Sequence, residues 1–293
     1  MTFIGTPYRR TTRSRRHGFG AYDRSNLQLA RGRDMADYEF LKVERDGKLT
    51  IITINRPEVY NALHPPAHFE FDEVFNNFRD DADQWIAVVT GAGDKAFSAG
   101  NDLKYQAAGG PRERPDSGFA GLTSRFDLDK PVIAAVNGFA MGGGFEIALA
   151  CDLIIAAEGA VFALPEPRVG LAALAGGLHR LPRFIPRKQA MGMILTGRRV
   201  PACEGKELGF VNEVVPQAKL METARKWAEQ IMECSPMSIR ASKQAVYAGL
   251  DKPTLQEAML SDYPAVKAMR NSDDFVEGPK AFAEKRPPNW KGA

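Results

Sequence analysis

The chain has 293 residues, 44% of them apolar and 26% charged, which is the composition of a soluble protein with one large domain, alone or with an appendage. Its three cysteines lie far apart without a C-x-x-C pair, which argues against a disulfide framework or a thiolate metal site and fits a reducing compartment. The net charge of +3 comes from one end of the chain and does not indicate a basic nucleic-acid surface on the rest.

An arginine-rich segment opens the chain. Residues 1–34 carry eight arginines against two aspartates, a net charge of +6, which leaves −3 for the remaining residues. The segment lacks the apolar stretch of a secretory signal, and its composition suits a mitochondrial transit peptide or a disordered extension. We favour an extension over residues 1–36 and a cytoplasmic protein, with the mitochondrial matrix as the alternative if residues 1–34 are a transit peptide.

Strands and helices are predicted to alternate from Phe40 onward. Segments rich in Ile, Val and Thr predict strands at 48–54, 86–90, 132–136, 153–157 and 211–215. Apolar stripes predict a helix around Phe71, Val74, Phe75 and Phe78, and another around Leu220, Ala224, Trp227 and Ile231. Strand–turn–helix units in series predict an α/β fold for residues 37–216, followed by a helical region at 217–293.

Two other segments have a clear composition. The longest apolar run, 131–157, is interrupted by Asn137, four glycines and Glu146, so it predicts a buried core segment rather than a membrane span. The Gly- and Pro-rich segment 107–118 predicts a loop, and its place after the first site motif makes it a candidate lid.

Two glycine-containing turns are candidates for binding an anion. Gly142, Gly143 and Gly144 follow a predicted strand and precede the helical run 145–151, so free N–H groups at a helix start can face a ligand. In the second turn, residues 97–102, Gly100 allows the N–H of Asn101 to point inward. Together they predict an oxyanion hole for a thioester carbonyl, with close helix packing as the structural alternative for the glycines.

Two glutamates are the candidate catalytic groups. Glu146 lies one helical turn after Gly143, so its carboxylate can overhang the same site. Glu166 stands between Pro165 and Pro167, which restrict its backbone. Each could be a solvated surface residue on its own, but a pair of carboxylates over one centre suits the addition or removal of water.

Three other patterns are weaker. Residues 91–96 match G-x-G-x-x-A, but no helical pattern follows, so we reject a dinucleotide site. His64 and His68 are four apart without a carboxylate to complete a zinc set, and we interpret them as surface histidines, with no metal site. The absence of a G-x-S-x-G sequence weakens a serine hydrolase.

Several motifs together resemble the crotonase (enoyl-CoA hydratase/isomerase) family over about residues 40–291. They lie at residues 55–57 and 61–63, 90–103, 130–138 leading into the glycines, 151–152, 162–166, 196–198 and 281–286. Within the family, the chain is most similar to the carnitinyl-CoA dehydratase (crotonobetainyl-CoA hydratase) subfamily, through residues 78–81, 118–123, 196–199, 277–279 and 290–292.

The resemblance implies a crotonase-like spiral of ββα units with a C-terminal helical trimerisation region, and trimers paired into hexamers. It implies a 2-enoyl-CoA substrate whose thioester oxygen lies between the N–H groups of Asn101 and Gly143, and no cofactor apart from the coenzyme A of the substrate. Glu166 would exchange the proton at the α-carbon while Glu146 holds the water. The implied substrate-binding residues are Val59, Ala62, Asn101, Asp102, Leu103, Lys104, Gly143, Phe282 and Lys285. No nucleic-acid or membrane partner is expected.

Two alternatives stay open. A Δ3-Δ2-enoyl-CoA isomerase needs the oxyanion hole and Glu166 but no group to hold water. A non-catalytic CoA- or RNA-binding scaffold is suggested only by the arginine-rich segment.

Overall fold

The structure, a computed structural model, describes residues 38–110 and 112–293. The predicted extension at 1–36, with the arginines behind the transit-peptide and scaffold alternatives, lies outside the described residues. The strands are β1 Leu41–Asp46, β2 Leu49–Ile54, β3 Ile86–Gly91, β4 Ala96–Ser98, β5 Val132–Val136, β6 Phe139–Met141, β7 Leu153–Ala157, β8 Val161–Ala163, β9 Val200–Pro201 and β10 Glu213–Val215. The helices are α1 Pro65–Asp80, α2 Leu103–Ala107, α3 Gly143–Ala150, α4 Gly177–Phe184, α5 Arg187–Thr196, α6 Ala202–Leu208, α7 Leu220–Met232, α8 Pro236–Leu250, α9 Leu255–Leu260, α10 Pro264–Arg270 and α11 Asp273–Ala283.

The strands form two sheets. One has the order β1-β2-β3-β5-β7-β10, and the other has the order β4-β6-β8-β9. From β3 to β8, successive strands enter the two sheets alternately, and a helix follows each pair. Each such pair with its helix is one ββα unit, so the predicted α/β fold of repeated ββα units is confirmed.

The core lies on both sides of the six-stranded sheet. Strands β3 and β5 are buried at every residue, as expected of central parallel strands covered on both faces. On one side α1 buries the phenylalanines of its predicted stripe, and on the other α7 packs Leu220 and Ala224 against the sheet. The apolar run 131–157 is largely buried, as predicted.

Three local predictions were wrong. The turn predicted from Phe97 begins later, because Ala96–Ser98 pairs with β6 as strand β4. His64 and His68 are not surface residues, since their relative exposures are 7% and 1%. The reason is their place on α1: His64 immediately precedes the helix, and His68 lies one turn before Phe71 on its buried stripe.

After β10 the chain is helical through α7 to α11, which agrees with the helical pattern predicted beyond residue 216. The division of the chain at 216/217 into a core and a trimerisation region stays a prediction. Among the described residues, none of the helices has both the length and the apolar character needed to span a membrane.

Candidate active site

Two loops built around glycine meet between β4 and α3, and we call Gly100 with Gly142–Gly144 the glycine turns. Gly100 and Gly142 have φ angles of +86° and +54°, which favour glycine. A Cβ atom on Gly100 would lie 2.6 Å from the carbonyl oxygen of Met141, and one on Gly144 would lie 2.1 Å from that of Ser98. Only glycine allows the two backbones to pack this closely. Close packing, the alternative explanation for these glycines, is therefore what builds the candidate site.

The predicted oxyanion donors are part of these turns. Gly143 is the first residue of α3, and a Cβ on Gly100 would lie 2.8 Å from its nitrogen. Asn101 is held by a backbone bridge to Leu63, whose N–H donates to the Gly100 carbonyl over 2.7 Å. Within residues 38–110 and 112–293, neither the Asn101 N–H nor the Gly143 N–H has a hydrogen-bond acceptor. Both groups are therefore available to a ligand oxygen.

Glu146 lies on the first turn of α3 and is only 3% exposed. Its Oε1 accepts a hydrogen bond of 2.9 Å from the N–H of Gly177, at the start of α4. Burial raises the pKa of Glu146, the charge of Glu166 adds to the rise, and the Gly177 N–H opposes part of it, so that the pKa is about 7. A carboxyl group with this pKa can both accept and release a proton near neutral pH.

Glu166 begins a short 3-10 helix, Glu166–Val169, directly after β8 and Pro165. Its Oε1 lies 2.9 Å from the position that a Cβ on Gly142 would take, so the carboxylate rests on the glycine turns. Its Oε2 is buried without a hydrogen-bond partner among the described residues. Burial raises the pKa of Glu166 as well. The two glutamates therefore approach one turn from two different elements.

The other predicted substrate-binding residues fall into two groups. The bridge between Leu63 and Asn101 places Ala62 close to the turn at Gly100. Arg56 links the two segments, because its guanidinium donates to the Ala62 carbonyl and pairs with the Asp102 carboxylate. Val59 is half-buried in the same loop, and Leu103 and Lys104 are exposed at the start of α2. Phe282, 87% exposed, and Lys285 lie at the other end of the chain, at and after the end of α11. Their predicted contact with coenzyme A stays a prediction.

Sequence reasoning missed the side chains that support Gly143. The Phe119 ring is buried so closely against Gly143 that a Cβ there would lie 2.5 Å from its Cζ. The Phe119 ring also contacts the His68 ring, with 4.3 Å between the ring centres. The burial of His68 was predictable from the sequence, because His68 lies three positions before Phe71 on the apolar stripe of α1. The Arg114 guanidinium lies 5.2 Å from the Phe119 ring centre.

Two cavities lie near this region. A cavity of ≈ 570 Å³ between α1 and the segment 114–127 contains neither glutamate, and its charged residues are largely paired, as in the contact of Arg125 with Asp72. A cleft of ≈ 50 Å³ is lined by residues from the approach to α1, from α2 and from the loop after it: His64, Pro65, His68, Asn101, Asp102, Tyr105, Gln106, Arg112 and Arg114. We call this second cavity the His68 cleft. Through Asn101, the cleft borders the turn at Gly100.

The structure also bears on the weaker motifs. Gly91 ends β3 and leads through a turn into β4, so the helix that a dinucleotide-binding G-x-G-x-x-A sequence requires does not follow it. In the described part of the chain, no group of three or more His, Cys, Asp or Glu side chains is arranged to hold a metal ion.

Comparison with known proteins agrees with this geometry. Residues 44–293 match the sequence profile of the enoyl-CoA hydratase/isomerase family. A carnitinyl-CoA dehydratase from Escherichia coli K12 is 48% identical over 266 residues, covering 87% of this chain and 99% of that protein. A carnitinyl-CoA hydratase structure from Mycobacterium avium is 41% identical, with a TM-score of 0.69 over 87% of this chain and 99% of that one.

A structure of an enoyl-CoA hydratase from Mycobacterium marinum, 37% identical, superposes with a TM-score of 0.82 over 87% of this chain and 99% of that chain. The glycine turns, the two glutamates beside them and these similarities agree with one another. The chain therefore belongs to the enoyl-CoA hydratase/isomerase family, and it is an enzyme of that family.

Proposed function

We propose that the protein catalyses the reversible hydration of a short-chain 2-enoyl-CoA thioester. The observation that carries the proposal is the position of two carboxylates at the Gly142–Gly144 turn: Glu146 is buried on the helix that begins at Gly143, and Glu166 Oε1 lies 2.9 Å from the Cβ position of Gly142. Their raised pKa values suit a pair that shares one proton near neutral pH. Such a pair can take a proton from water and give one to carbon in the same turnover.

The steps follow from this arrangement. The thioester oxygen accepts hydrogen bonds from the N–H groups of Asn101 and Gly143. In the reactive form of the singly protonated pair the proton lies on Glu166. Ionised Glu146 then takes a proton from water as the water oxygen bonds to the β-carbon and the double-bond electrons move toward the thioester oxygen. Protonated Glu166 then supplies the proton that forms the new C–H bond at the α-carbon. The negative charge that develops on the thioester oxygen is stabilised by N–H donors that are already in position. This stabilisation is usually the largest single contribution to the rate enhancement.

Substitution of each glutamate tests the proposal. We expect Glu146→Gln and Glu166→Gln to lower kcat on crotonyl-CoA by at least about 100-fold, since general acid–base catalysis contributes about 10²–10⁴. Binding of the thioester should stay measurable by calorimetry. Glu158→Gln, at an exposed turn between β7 and β8, is the matched control and should behave like the wild type. Near-wild-type turnover in either active-site variant contradicts these roles.

The same assay separates hydration from isomerisation. An isomerase moves a proton with one carboxylate, so Glu146→Gln would retain activity on a 3-enoyl-CoA substrate while Glu166→Gln would lose it. The burial of Glu146 beside the same turn as Glu166 favours the hydratase.

The names of the relatives suggest a more specific substrate. In this proposal crotonobetainyl-CoA is the substrate and carnitinyl-CoA is its product. The observation in favour is the 48% identity to a carnitinyl-CoA dehydratase over nearly its whole length. The test is the ratio of kcat/KM for crotonobetainyl-CoA to that for crotonyl-CoA. A ratio well above one supports the carnitine substrate, and a ratio below one leaves a hydratase for another acyl group.

Assembly, cofactor and location complete the proposal. Exposed apolar side chains on the C-terminal helices support self-association as a trimer or hexamer: Val246, Leu250, Leu255, Met259, Leu260, Phe275 and Val276. Analytical ultracentrifugation tests the assembly. We further propose turnover without a metal or added cofactor, which dialysis against EDTA tests, and a cytoplasmic location, which fractionation tests.

A further inference from the structure

His68 is a buried polar side chain that the proposed reaction does not use. It lies on the buried stripe of α1 and is almost fully enclosed. Its Nδ1 accepts a hydrogen bond of 3.1 Å from the N–H of Ala120. Burial lowers the pKa of His68 to about 3, with smaller effects from Arg114 and His64, so the ring is neutral at physiological pH. Because Nδ1 is the acceptor, the single proton of the neutral ring is on Nε2.

The Nε2–H of His68 is therefore a donor whose position is fixed. Among residues 38–110 and 112–293, no acceptor lies within hydrogen-bond distance of it, and the nitrogen is buried. A buried donor without an acceptor costs about 1–3 kcal/mol, which is more than a side chain that only packs would impose on the fold. A buried polar group without a partner requires an explanation, and the place of His68 in the lining of the cleft favours an acceptor on a ligand.

The ring is placed beside the reaction centre. Phe119 links His68 to Gly143, because its ring contacts both residues. His68 also lines the His68 cleft together with Asn101, whose N–H is one of the two oxyanion donors. At ≈ 50 Å³, the cleft has room for about four water-sized groups, which is the size of a polar substituent rather than of a whole acyl-CoA.

The charges around the cleft are mostly positive. Arg112 and Arg114 line it, and the Arg114 guanidinium already lies over the face of Phe119. The carboxylate in the lining, Asp102, is 3.2 Å from the guanidinium of Arg56 and accepts the N–H of Tyr105. A cationic substituent would therefore meet like charges and an aromatic face that is occupied, whereas an anionic one would find two arginines.

We propose, on the basis of the hydration reaction above, that the His68 cleft receives the far end of the acyl group and that the Nε2–H of His68 donates to an oxygen acceptor there. With Arg112 and Arg114 beside it, the cleft selects an enoyl-CoA that carries a carboxylate beyond its double bond over one that carries a trimethylammonium group. This selectivity is the opposite of that of a crotonobetainyl-CoA hydratase, so the two substrate assignments exclude each other, and the ratio of kcat/KM values decides between them. His68 is then a specificity-determining residue.

A matched set of thioesters tests the selectivity. Glutaconyl-CoA and crotonobetainyl-CoA carry opposite charges on the same carbon, 4-hydroxycrotonyl-CoA carries a neutral acceptor there, and crotonyl-CoA carries none. We expect kcat/KM to decrease from the carboxylate to the hydroxyl, to the unsubstituted chain and to the cation. A hydrogen bond to a charged group contributes a factor of about 10–100, so we expect that preference for glutaconyl-CoA over crotonyl-CoA. A preference for crotonobetainyl-CoA overturns the proposal.

Two substitutions of His68 separate recognition from structure. The side-chain oxygen of Asn can accept the Ala120 N–H as Nδ1 does, but Asn has no group in the place of Nε2. Gln has its amide nitrogen near the place of Nε2 but no acceptor for Ala120. We expect His68→Asn to lower the glutaconyl/crotonyl ratio by about 10- to 100-fold, and His68→Gln to keep most of the ratio while lowering the melting temperature.

Controls keep this test independent of catalysis. His179→Asn, at an exposed histidine on α4, should leave the ratio unchanged. If no enoyl-CoA is turned over, the hydratase proposal fails, but the affinity of glutaryl-CoA relative to butyryl-CoA, measured by calorimetry, still tests the cleft. An equal ratio in the wild type and His68→Asn, by either measurement, overturns the role of His68.

Discussion

The glycine turns and the His68 cleft meet at Asn101, but they are built in opposite ways. The turns present backbone N–H groups, and a side chain at Gly100 or Gly144 would collide with the neighbouring backbone. The cleft presents side chains from α1, α2 and the loop after it. The difference suggests a division of tasks, in which backbone N–H groups stabilise the charge on the thioester oxygen and the side chains of the cleft choose the acyl group.

A substitution in the glycine turns is the strongest way to break this division. We expect Gly100→Ala to lower kcat/KM by about 10²–10³, because its Cβ would lie 2.8 Å from the Gly143 nitrogen and displace an oxyanion donor. Steady-state kinetics on crotonyl-CoA measures the effect. Gly209→Ala is the control, since Gly209 also has a positive φ, +98°, but nothing within 4 Å of its Cβ position. An equal loss in both variants would show that backbone strain, not the donor, is responsible.

Removing the buried charge of Glu146 should show how much this residue lowers the free energy of unfolding. The folded-state pKa of Glu146, about 7, is above its ordinary 4.5, so its stabilising contribution is complete below pH 4.5 and is lost as the pH rises through about 7. Glu146→Gln should therefore be more stable than the wild type at pH 8, by up to about 3 kcal/mol, and lose this advantage by pH 4.5. Urea unfolding at both pH values, at one protein concentration, measures the difference. An advantage of equal size at both would contradict the pKa shift.

The pH dependence of turnover sharpens the same point. If the two glutamates share one proton, the pair loses activity when that proton leaves, so kcat/KM should fall about tenfold per pH unit above about 7. An acidic limb should follow the lower of the two pKa values, which burial of Glu166 raises. Hydration and dehydration should give the same profile, because both use the singly protonated pair. A flat profile between pH 6 and 9 would exclude the shared proton.

The smallest effect is expected outside both regions. An aromatic face can bind a trimethylammonium group, but Phe126 is 89% exposed and lines neither of the two cavities. Surface substitutions usually change stability by less than about 0.5 kcal/mol, so Phe126→Ala should be close to neutral in thermal unfolding and in kcat/KM for crotonobetainyl-CoA. A large loss on that substrate alone would bring Phe126 into the acyl site.

The sequence predicted the glycine turns better than the cleft. A glycine run after an apolar strand has one main physical use, and the two glutamates followed from their spacing and their neighbouring prolines. The central strands were predicted within one residue at most ends, because continuous apolar runs are typical of buried parallel strands.

The cleft was harder to predict because its residues come from separate elements. His68 fits the apolar stripe of α1, but a histidine on a helix is usually exposed, and its burial depends on Phe119, 51 positions later. The 3-residue strand β4 was missed for a similar reason, since its pairing with β6 comes from the sheet and not from its own composition. Local patterns do not carry such long-range contacts.

The contact of Gly144 with the Ser98 carbonyl has a consequence for engineering. Since the oxyanion donors belong to the main chain, random mutagenesis at 142–144 can only destroy them, and it offers a directed-evolution library no useful diversity. Variation at Tyr105, Arg112 and Arg114 changes side chains that do not supply those donors. A small combinatorial library at these three positions is therefore the economical route to hydratases with new acyl substrates.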